Sequence, residues 1–421
     1  MPTTPGLCGL DFGTSNSTIA VAPQGAPALV PLEGAHLTIP SAVFYGFDAS
    51  HAFLIGRAGV NAYVDGVHGR LLRSLKSILG SPLIDEKTPI YRKRLAFSEI
   101  IRQYIAELKR RAEARIGGSI DHVVMGRPVH FVNNDAAGDQ HAEDALGRIA
   151  YQVGFKHVSF QFEPVAAALD YERQISQERL VLVADIGGGT SDFTLIRLAP
   201  SRHGADERAS DLLANGGMRL GGTDYDRYLS MDAFMPALGH KTAQKRDDLE
   251  LPAGPYWDLS TWSAVHLLYD AKRMLEIRSI RQSAQHPELV DRLIRIITHH
   301  RAHSMLMQVE EAKIALSDAE RHVTALDWVD KGLAVTATRA QFTQATRQLH
   351  DRLKDTALAC IADAGLRASD VGAIYFTGGT SQIPSVRAAI LSSCPDASVI
   401  DGDRFGSVGL GLAVEARRRY G

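Results

Sequence analysis

Two stretches of the chain share one hydrophobic pattern. Leu7 to Phe12 and Ser17 to Ala22 are short β-rich runs, and between them Asp11-Phe12-Gly13-Thr14-Ser15-Asn16 carries the glycine and hydroxyls of a hairpin turn. The pattern returns far downstream. Leu180 to Asp185 is a continuous apolar strand, Ile186-Gly187-Gly188-Gly189-Thr190-Ser191-Asp192 is its loop, and Phe193 to Leu198 is the return strand. A strand, loop and strand met twice predict a duplicated unit, with a turn from each half facing one ligand across a cleft.

Between the two copies, Phe97 to Ile116 has the period of an amphipathic helix, Val123 to Met125 reads as a strand, Glu143 to Val153 as a helix and Val158 to Phe162 as a strand. Further on, Val309 to Leu316 reads as a helix, Ala373 to Phe376 as a buried strand, and Ser407 to Arg418 as a closing helix. Strands alternating with helices define an α/β protein. The stretch from Ala233 to Arg301 is polar, rich in Arg and His, and holds the Pro-containing segment Leu251 to Trp257; it reads as an inserted helical subdomain. The expected division is lobe I at residues 1–178, with a helix at 404–421 returning to it, and lobe II at 179–403, with the insertion at 230–315.

A chain of 421 residues exceeds one compact core, which favours two lobes. Hydrophobic residues at 45% and charged residues at 22% give enough apolar material for packed sheets and exclude disorder. Lys and Arg total 46 against 48 Asp and Glu, a net charge of -2, so no global field recruits nucleic acid or an anionic membrane. Cys8, Cys360 and Cys394 are odd in number and lack CxxC spacing, which argues against a disulfide framework or a thiolate zinc site and fits a reducing cytoplasm. With no basic start and no run of about 18 apolar residues, the chain is expected to be cytoplasmic.

Asp11 ends a strand just before Gly13, and Asp185 ends one just before three glycines. Each places a carboxylate beside backbone amides that can approach a phosphate closely. Magnesium takes oxygen ligands and keeps several waters, so Asp11, Asp185 and Asp192 are the candidates to hold its hydration shell. Each Asp taken alone could instead cap its turn. Gly221-Gly222 and Gly378-Gly379 are further candidate phosphate or nucleoside contacts, the second pair lying between a strand and the helix that begins near Pro384.

These segments resemble the ATPase domain of the 70-kDa heat-shock (DnaK-type) chaperones, and among them the short YegD-type relatives. The matching blocks are Gly9 to Ser17, Phe162-Glu163-Pro164-Val165-Ala166-Ala167-Ala168, Asp185 to Asp192, Leu220 to Asp226, Glu310 to Ser317 and Gly378 to Pro384, in family order across nearly the whole chain. The resemblance implies an actin-like ATPase (ribonuclease H-like) fold: two lobes around a nucleotide cleft, each with a mixed β-sheet flanked by helices. It implies ATP or ADP with Mg2+ as cofactors. Gly13, Thr14, Ser15, Asn16, Gly187, Gly188 and Gly189 would hold phosphates, and Gly221 and Gly222 would contact the nucleotide. Glu310, Lys313, Ser317, Gly378, Gly379, Thr380 and Gln382 would contact the nucleoside, Asp11, Asp185 and Asp192 the hydrated metal. Lys76 would reach the γ-phosphate, with Glu163 and Thr190 positioning water and Asp185 completing the catalytic set.

The departures are as informative. Ile314 and Gln382 stand where the family sandwiches adenine between arginines, which implies weaker base selectivity. Pro128 matches the family's proline switch, but its partner arginine aligns with Gln140. The sequence closes at Arg417-Arg418-Arg419 with no peptide-gripping β-sandwich, so the resemblance implies a slow ATPase related to chaperones, acting on an unidentified protein partner or client. A small-molecule, sugar-type kinase of the same superfold and a non-catalytic nucleotide-gated scaffold are the alternatives. His299, His300 and His303 have metal-compatible spacing without acidic or sulfur companions and read as solvated surface; Arg92-Lys93-Arg94 reads as a solvated basic run with no nucleic-acid partner.

Overall fold

The computed structural model describes residues 6–22, 26–47, 53–131, 135–172, 174–202, 205, 207–246, 249–262, 264–402 and 406–421. The two repeated units become the centres of two sheets. In the first, β1 (Gly6–Phe12) runs antiparallel to β2 (Asn16–Val21), and β3 (Ala28–Leu29) extends that side. On the other side β4 (Ile120–Arg127) and β5 (His157–Phe162) lie parallel, giving the order β5-β4-β1-β2-β3. In the second, β6 (Arg179–Ile186) and β7 (Ser191–Leu198) are antiparallel, with β8 (Leu212–Met218) beyond β7. Strands β9 (Ala373–Thr377) and β10 (Ser398–Asp401) lie parallel on the far side, giving β10-β9-β6-β7-β8. From the central strand outward the two sheets have the same succession of parallel and antiparallel neighbours. That duplicated mixed sheet is the actin-like ATPase fold.

The parallel strands are covered on both faces, which is why Val123 to Met125 and Ala373 to Phe376 are unbroken apolar runs. Helix α1 (Phe97–Ile116) has the limits its periodicity predicts; Ile100, Ile101, Tyr104, Ile105, Leu108 and Ala112 form its buried stripe, and Gly117 ends it at φ 71°. Helix α2 (Ala136–Val153) begins seven residues before the predicted Glu143, because Asp135 caps its first turn by accepting from the Gly138 amide at 2.9 Å. That first turn is poor in large apolar residues and carries no period to read.

Helix α3 (Glu163–Glu172) crosses between the lobes. In lobe II follow α4 (Gly222–Leu229), α5 (Ala302–Asp318) and α6 (Pro384–Leu391); α7 (Ser407–Tyr420) returns to pack on β1, β4 and α3. Residues 403–405, at the start of the expected returning helix, lie outside the described residues. Val165, Ala168, Val183, Tyr375 and Leu412 form a shared cluster where α3 and α7 join the two sheets. The approach of α7 is close enough to require glycine: a β-carbon on Gly411 would lie 1.9 Å from the Ala166 carbonyl oxygen, and one on Gly9 would lie 2.3 Å from the Ala413 amide nitrogen.

The stretch from Ala233 to Arg301 carries helices whose inner faces are apolar. Tyr256, Leu259, Ile277, Val290 and Leu293 are buried in the lobe II core. Its charged residues occupy the outer faces of amphipathic helices such as Pro287–Thr298. The histidines also part company. His299 and His300 are exposed, whereas His303 is buried, its ring 4.5 Å from that of Tyr63 on the lobe I helix Gly56–Val64 and 5.5 Å from Trp262. The Arg73 guanidinium, also from lobe I, lies 4.8 Å over the Trp262 ring. These contacts join the lobes at the rim of the cleft. No group of three or more His, Cys, Asp or Glu among the described residues is placed to hold a metal ion.

Candidate active site

Each central hairpin delivers a carboxylate and a glycine loop to the cleft. Asp11, opposite Thr18, and Asp185, opposite Asp192, occupy equivalent places at the ends of β1 and β6. Gly13 permits the first turn, since a β-carbon there would lie 2.2 Å from the Asn16 carbonyl oxygen. Ser41 braces the turn: its hydroxyl donates to the Gly13 carbonyl at 2.6 Å and meets the Ser17 hydroxyl at 2.9 Å. Thr14 and Ser15 are half-buried, and Asn16 is exposed at the rim.

The second loop is held by glycines from another segment. The Gly222 and Thr223 amides donate to the Gly187 and Gly188 carbonyls at 3.0 and 2.8 Å, and Thr380 Oγ1 donates to the Gly187 carbonyl at 2.8 Å. With carbonyls tied back in this way, the loop is fixed from behind. A β-carbon on Gly221 would lie 2.5 Å from the Gly189 amide nitrogen, so no larger residue fits that seam. Asp224 closes it by accepting from the Gly221 amide at 3.0 Å. The two glycine loops approach each other closely: a β-carbon on Gly188 would stand 2.3 Å from Ser15 Oγ. Gly378 follows β9 with φ 79°, where a side chain would strike the Ile186 carbonyl and the Asp185 carboxylate. Gly379, Thr380 and Gln382 continue from it in one short turn.

Lys76 and Glu163 meet although 87 residues separate them; Lys76 Nζ donates to Glu163 Oε1 at 2.5 Å, both side chains largely buried. Burial alone would lower the Lys76 pKa, but the carboxylates of Glu163, Asp11 and Asp185 hold it above its ordinary value. On the aspartates burial acts the other way and raises the pKa. Burial and the Glu163 charge push Asp11 up to about 7, and burial with Asp192, Glu163 and Asp11 pushes Asp185 up to about 8. Asp192 is open to solvent on its cleft side yet flanked closely by protein; burial raises it to about 6 against a Thr190 hydrogen bond that favours the charged form. Four carboxylates around a single ammonium leave an excess of negative charge. A hydrated divalent cation fits that donor set, since oxygen ligands in excess of cationic partners are what magnesium needs.

On α5, Glu310, Lys313 and Ser317 share a face as their spacing predicts. Lys313 is turned inward: its Nζ lies 2.8 Å from Asp226 Oδ1 and donates to the Gly222 carbonyl at 3.3 Å, tying α5 to α4 behind the second loop. Ile314 is 58% exposed. Gln140 does not reach Pro128; it is exposed and bonds Asp144 one turn on at 2.9 Å. The guanidinium beside the proline is that of Arg127, which donates to the Pro128 carbonyl at 3.2 Å, pairs with Glu143 and lies 5.1 Å over the Phe162 ring. Ser41, Asp226 and Arg127 are the residues sequence reasoning missed. Each acts through a partner on another element; Ser41 and Arg127 belong to no local motif, and Asp226, inside the block Leu220 to Asp226, was not singled out there.

A duplicated mixed sheet with matched acidic turns and a buried lysine at the cleft floor defines an actin-like nucleotide-cleft protein. The family model for Hsp70 protein matches residues 87–248 and 291–416. The chain belongs to the Hsp70 family. It is similar to Chaperone protein HscA of Shigella boydii serotype 18 (strain CDC 3083-94 / BS512), with 28% identity over 435 aligned residues that cover 97% of this chain and 57% of that relative. No described helix is long and apolar enough to cross a membrane.

Proposed function

We propose that the chain is a chaperone-related ATPase that binds ATP and ADP with Mg2+ between its lobes and hydrolyses ATP slowly, the bound nucleotide selecting the degree of lobe closure read by a protein partner or client. The observation that carries this reading is the convergence of Asp11, Asp185, Lys76 and Glu163 from four separate segments beneath two facing glycine loops. Gly13 to Asn16 and Gly187 to Gly189 would cradle the phosphates; Gly221, Gly222, Gly378 to Thr380 and Gln382 would line the nucleoside side with Glu310, Lys313 and Ser317. Asp11, Asp185 and Asp192 would hold the hydrated magnesium, which supplies charge neutralisation to the phosphates when bound.

Lys76 faces the charge that develops on the transferred phosphoryl group, while Glu163 and Thr190 orient the attacking water. Glu163 is already engaged by Lys76, so no unencumbered base stands ready, which supports slow turnover. The buried thiols of Cys8, Cys360 and Cys394 suit a reducing, cytoplasmic setting. The nearness to YegD-type relatives rests on the same blocks. In this reading the nucleotide cycle needs only the two lobes, whether or not a peptide-gripping module is coupled to them.

Phosphate release from Mg-ATP by the purified protein tests the reading, with Lys76→Ala and Asp185→Ala alongside and with or without a sugar mixture. Slow release without sugar, reduced about a hundredfold or more in both variants, supports the ATPase. Sugar-dependent turnover would establish a kinase, and tight nucleotide binding without turnover a scaffold.

A further inference from the structure

The two-stranded hairpin Lys87–Ile90 and Lys93–Ala96 projects from lobe I with Tyr91 and Arg92 at its tip, where Ile90 pairs with Lys93. Tyr91 adopts φ 52° and is 59% exposed. A hairpin tip with positive φ favours Gly, Asn or Asp, and an aromatic residue there is strained. Strain of that kind, on a ring held out to water, has no packing purpose in the core. The ring is nonetheless ordered by two partners: Phe47 stacks on it at 5.2 Å between centroids, and the Arg92 guanidinium lies 5.2 Å over it.

Around this stack stand Lys87, Arg92, Lys93 and Arg94, all exposed, and the half-buried Arg70. Arg70 and Arg94 donate to the carbonyls of Pro89 and Lys87, at 2.7 and 2.8 Å, which fixes their side chains without neutralising them. None of the five makes an ion pair with a carboxylate among the described residues, although most other arginines of the chain do. In a chain with a net charge of -2, this is a local, unneutralised and pre-ordered cationic site.

We propose that the tip of this hairpin is a docking site for an acidic, Asp- or Glu-rich segment of a partner protein. Carboxylates suit the fork of a guanidinium held over a ring, because its N–H groups remain available for bidentate bonds while less freedom is left to lose. Single-stranded nucleic acid fits less well, since base binding needs an open aromatic face and Tyr91 is already engaged by Phe47 and Arg92. The site lies apart from the nucleotide cleft and does not depend on ATP hydrolysis.

The test is fluorescence anisotropy of the purified chain with a fluorescein-labelled octaglutamate peptide, at low and at physiological salt, against octalysine and a labelled uridine octamer. The expected result is salt-sensitive binding of octaglutamate alone, weakened about tenfold or more by R92E/K93E/R94E. Tyr91→Gly relieves the backbone strain, so it should keep or raise the melting temperature while weakening the peptide several-fold through loss of the stack. Unchanged affinity in both variants overturns the proposal, as does tighter binding of the uridine octamer than of octaglutamate.

Discussion

At Gly188 a single methyl group is enough to test whether the two phosphate loops act together. The Gly188→Ala β-carbon would stand 2.3 Å from Ser15 Oγ, in a loop whose carbonyls are already tied to Gly222, Thr223 and Thr380. The loop cannot retreat, so the Ser15 hydroxyl must turn aside and the Ser15 β-carbon, 3.3 Å away, must give. The expected outcome is at least a tenfold loss of Mg-ADP affinity by calorimetry, about 1.4 kcal/mol, with little change in the melting temperature. The carboxylates make a second prediction. Asp11, Asp185 and Asp192 hold protons in the folded chain up to about 7, 8 and 6, above the ordinary carboxylate value. Between about pH 4 and 8 the folded state therefore binds more protons than the unfolded state, and stability falls as pH rises. The metal-free protein should melt progressively lower from pH 5.5 to 8 in a chelator-treated scan, and Mg-ADP should flatten that slope. A melting temperature that rises over the same range would remove these groups as its cause.

At the level of whole elements, the contact of α7 with α3 is the most constrained packing in the fold. Gly411→Ala places a β-carbon 1.9 Å from the Ala166 carbonyl oxygen, which neither helix can accommodate without separating. A loss of about 3 kcal/mol is expected, read as a shift in the urea midpoint at constant slope. The sequence foretold α7, α1 and both central hairpins because their signals are local: a period, a run of apolar residues, or an Asp followed by glycines. It foretold less of what holds them. The pairing of Lys76 with Glu163 spans 87 residues and was accessible only through family resemblance. The brace formed by Ser41 and the placement of Arg127 at Pro128 arise from tertiary contacts without a motif, and the pairing of Asp226 with Lys313 joins two blocks that are far apart in sequence. Polar composition misled for the stretch from Ala233 to Arg301, where outward charges concealed inward Tyr256, Val290 and Leu293. It misled again for His303, whose burial depends on Tyr63 across the cleft.

Across the whole molecule, the rim contacts of Arg73 with Trp262 and of Tyr63 with His303 must part for the cleft to open widely. Trp262→Ala removes one ring from this clasp without touching the phosphate loops. It should raise the release rate of a fluorescent ADP analogue about three- to fivefold, the equivalent of roughly 0.5–1 kcal/mol for a cation–π contact, in stopped-flow chase. An unchanged rate would mean that the rim does not hold the lobes together. The pairing of Gly9 on β1 with Ala413 on α7 also has a bearing on how the protein is made. Strand β1 leaves the ribosome some four hundred residues before the helix that completes it. At elongation rates of about 5–20 residues per second, that wait is on the order of 20–80 s, during which the apolar face of β1 awaits its cover. Until α7 is made, that apolar face is open to non-native contacts.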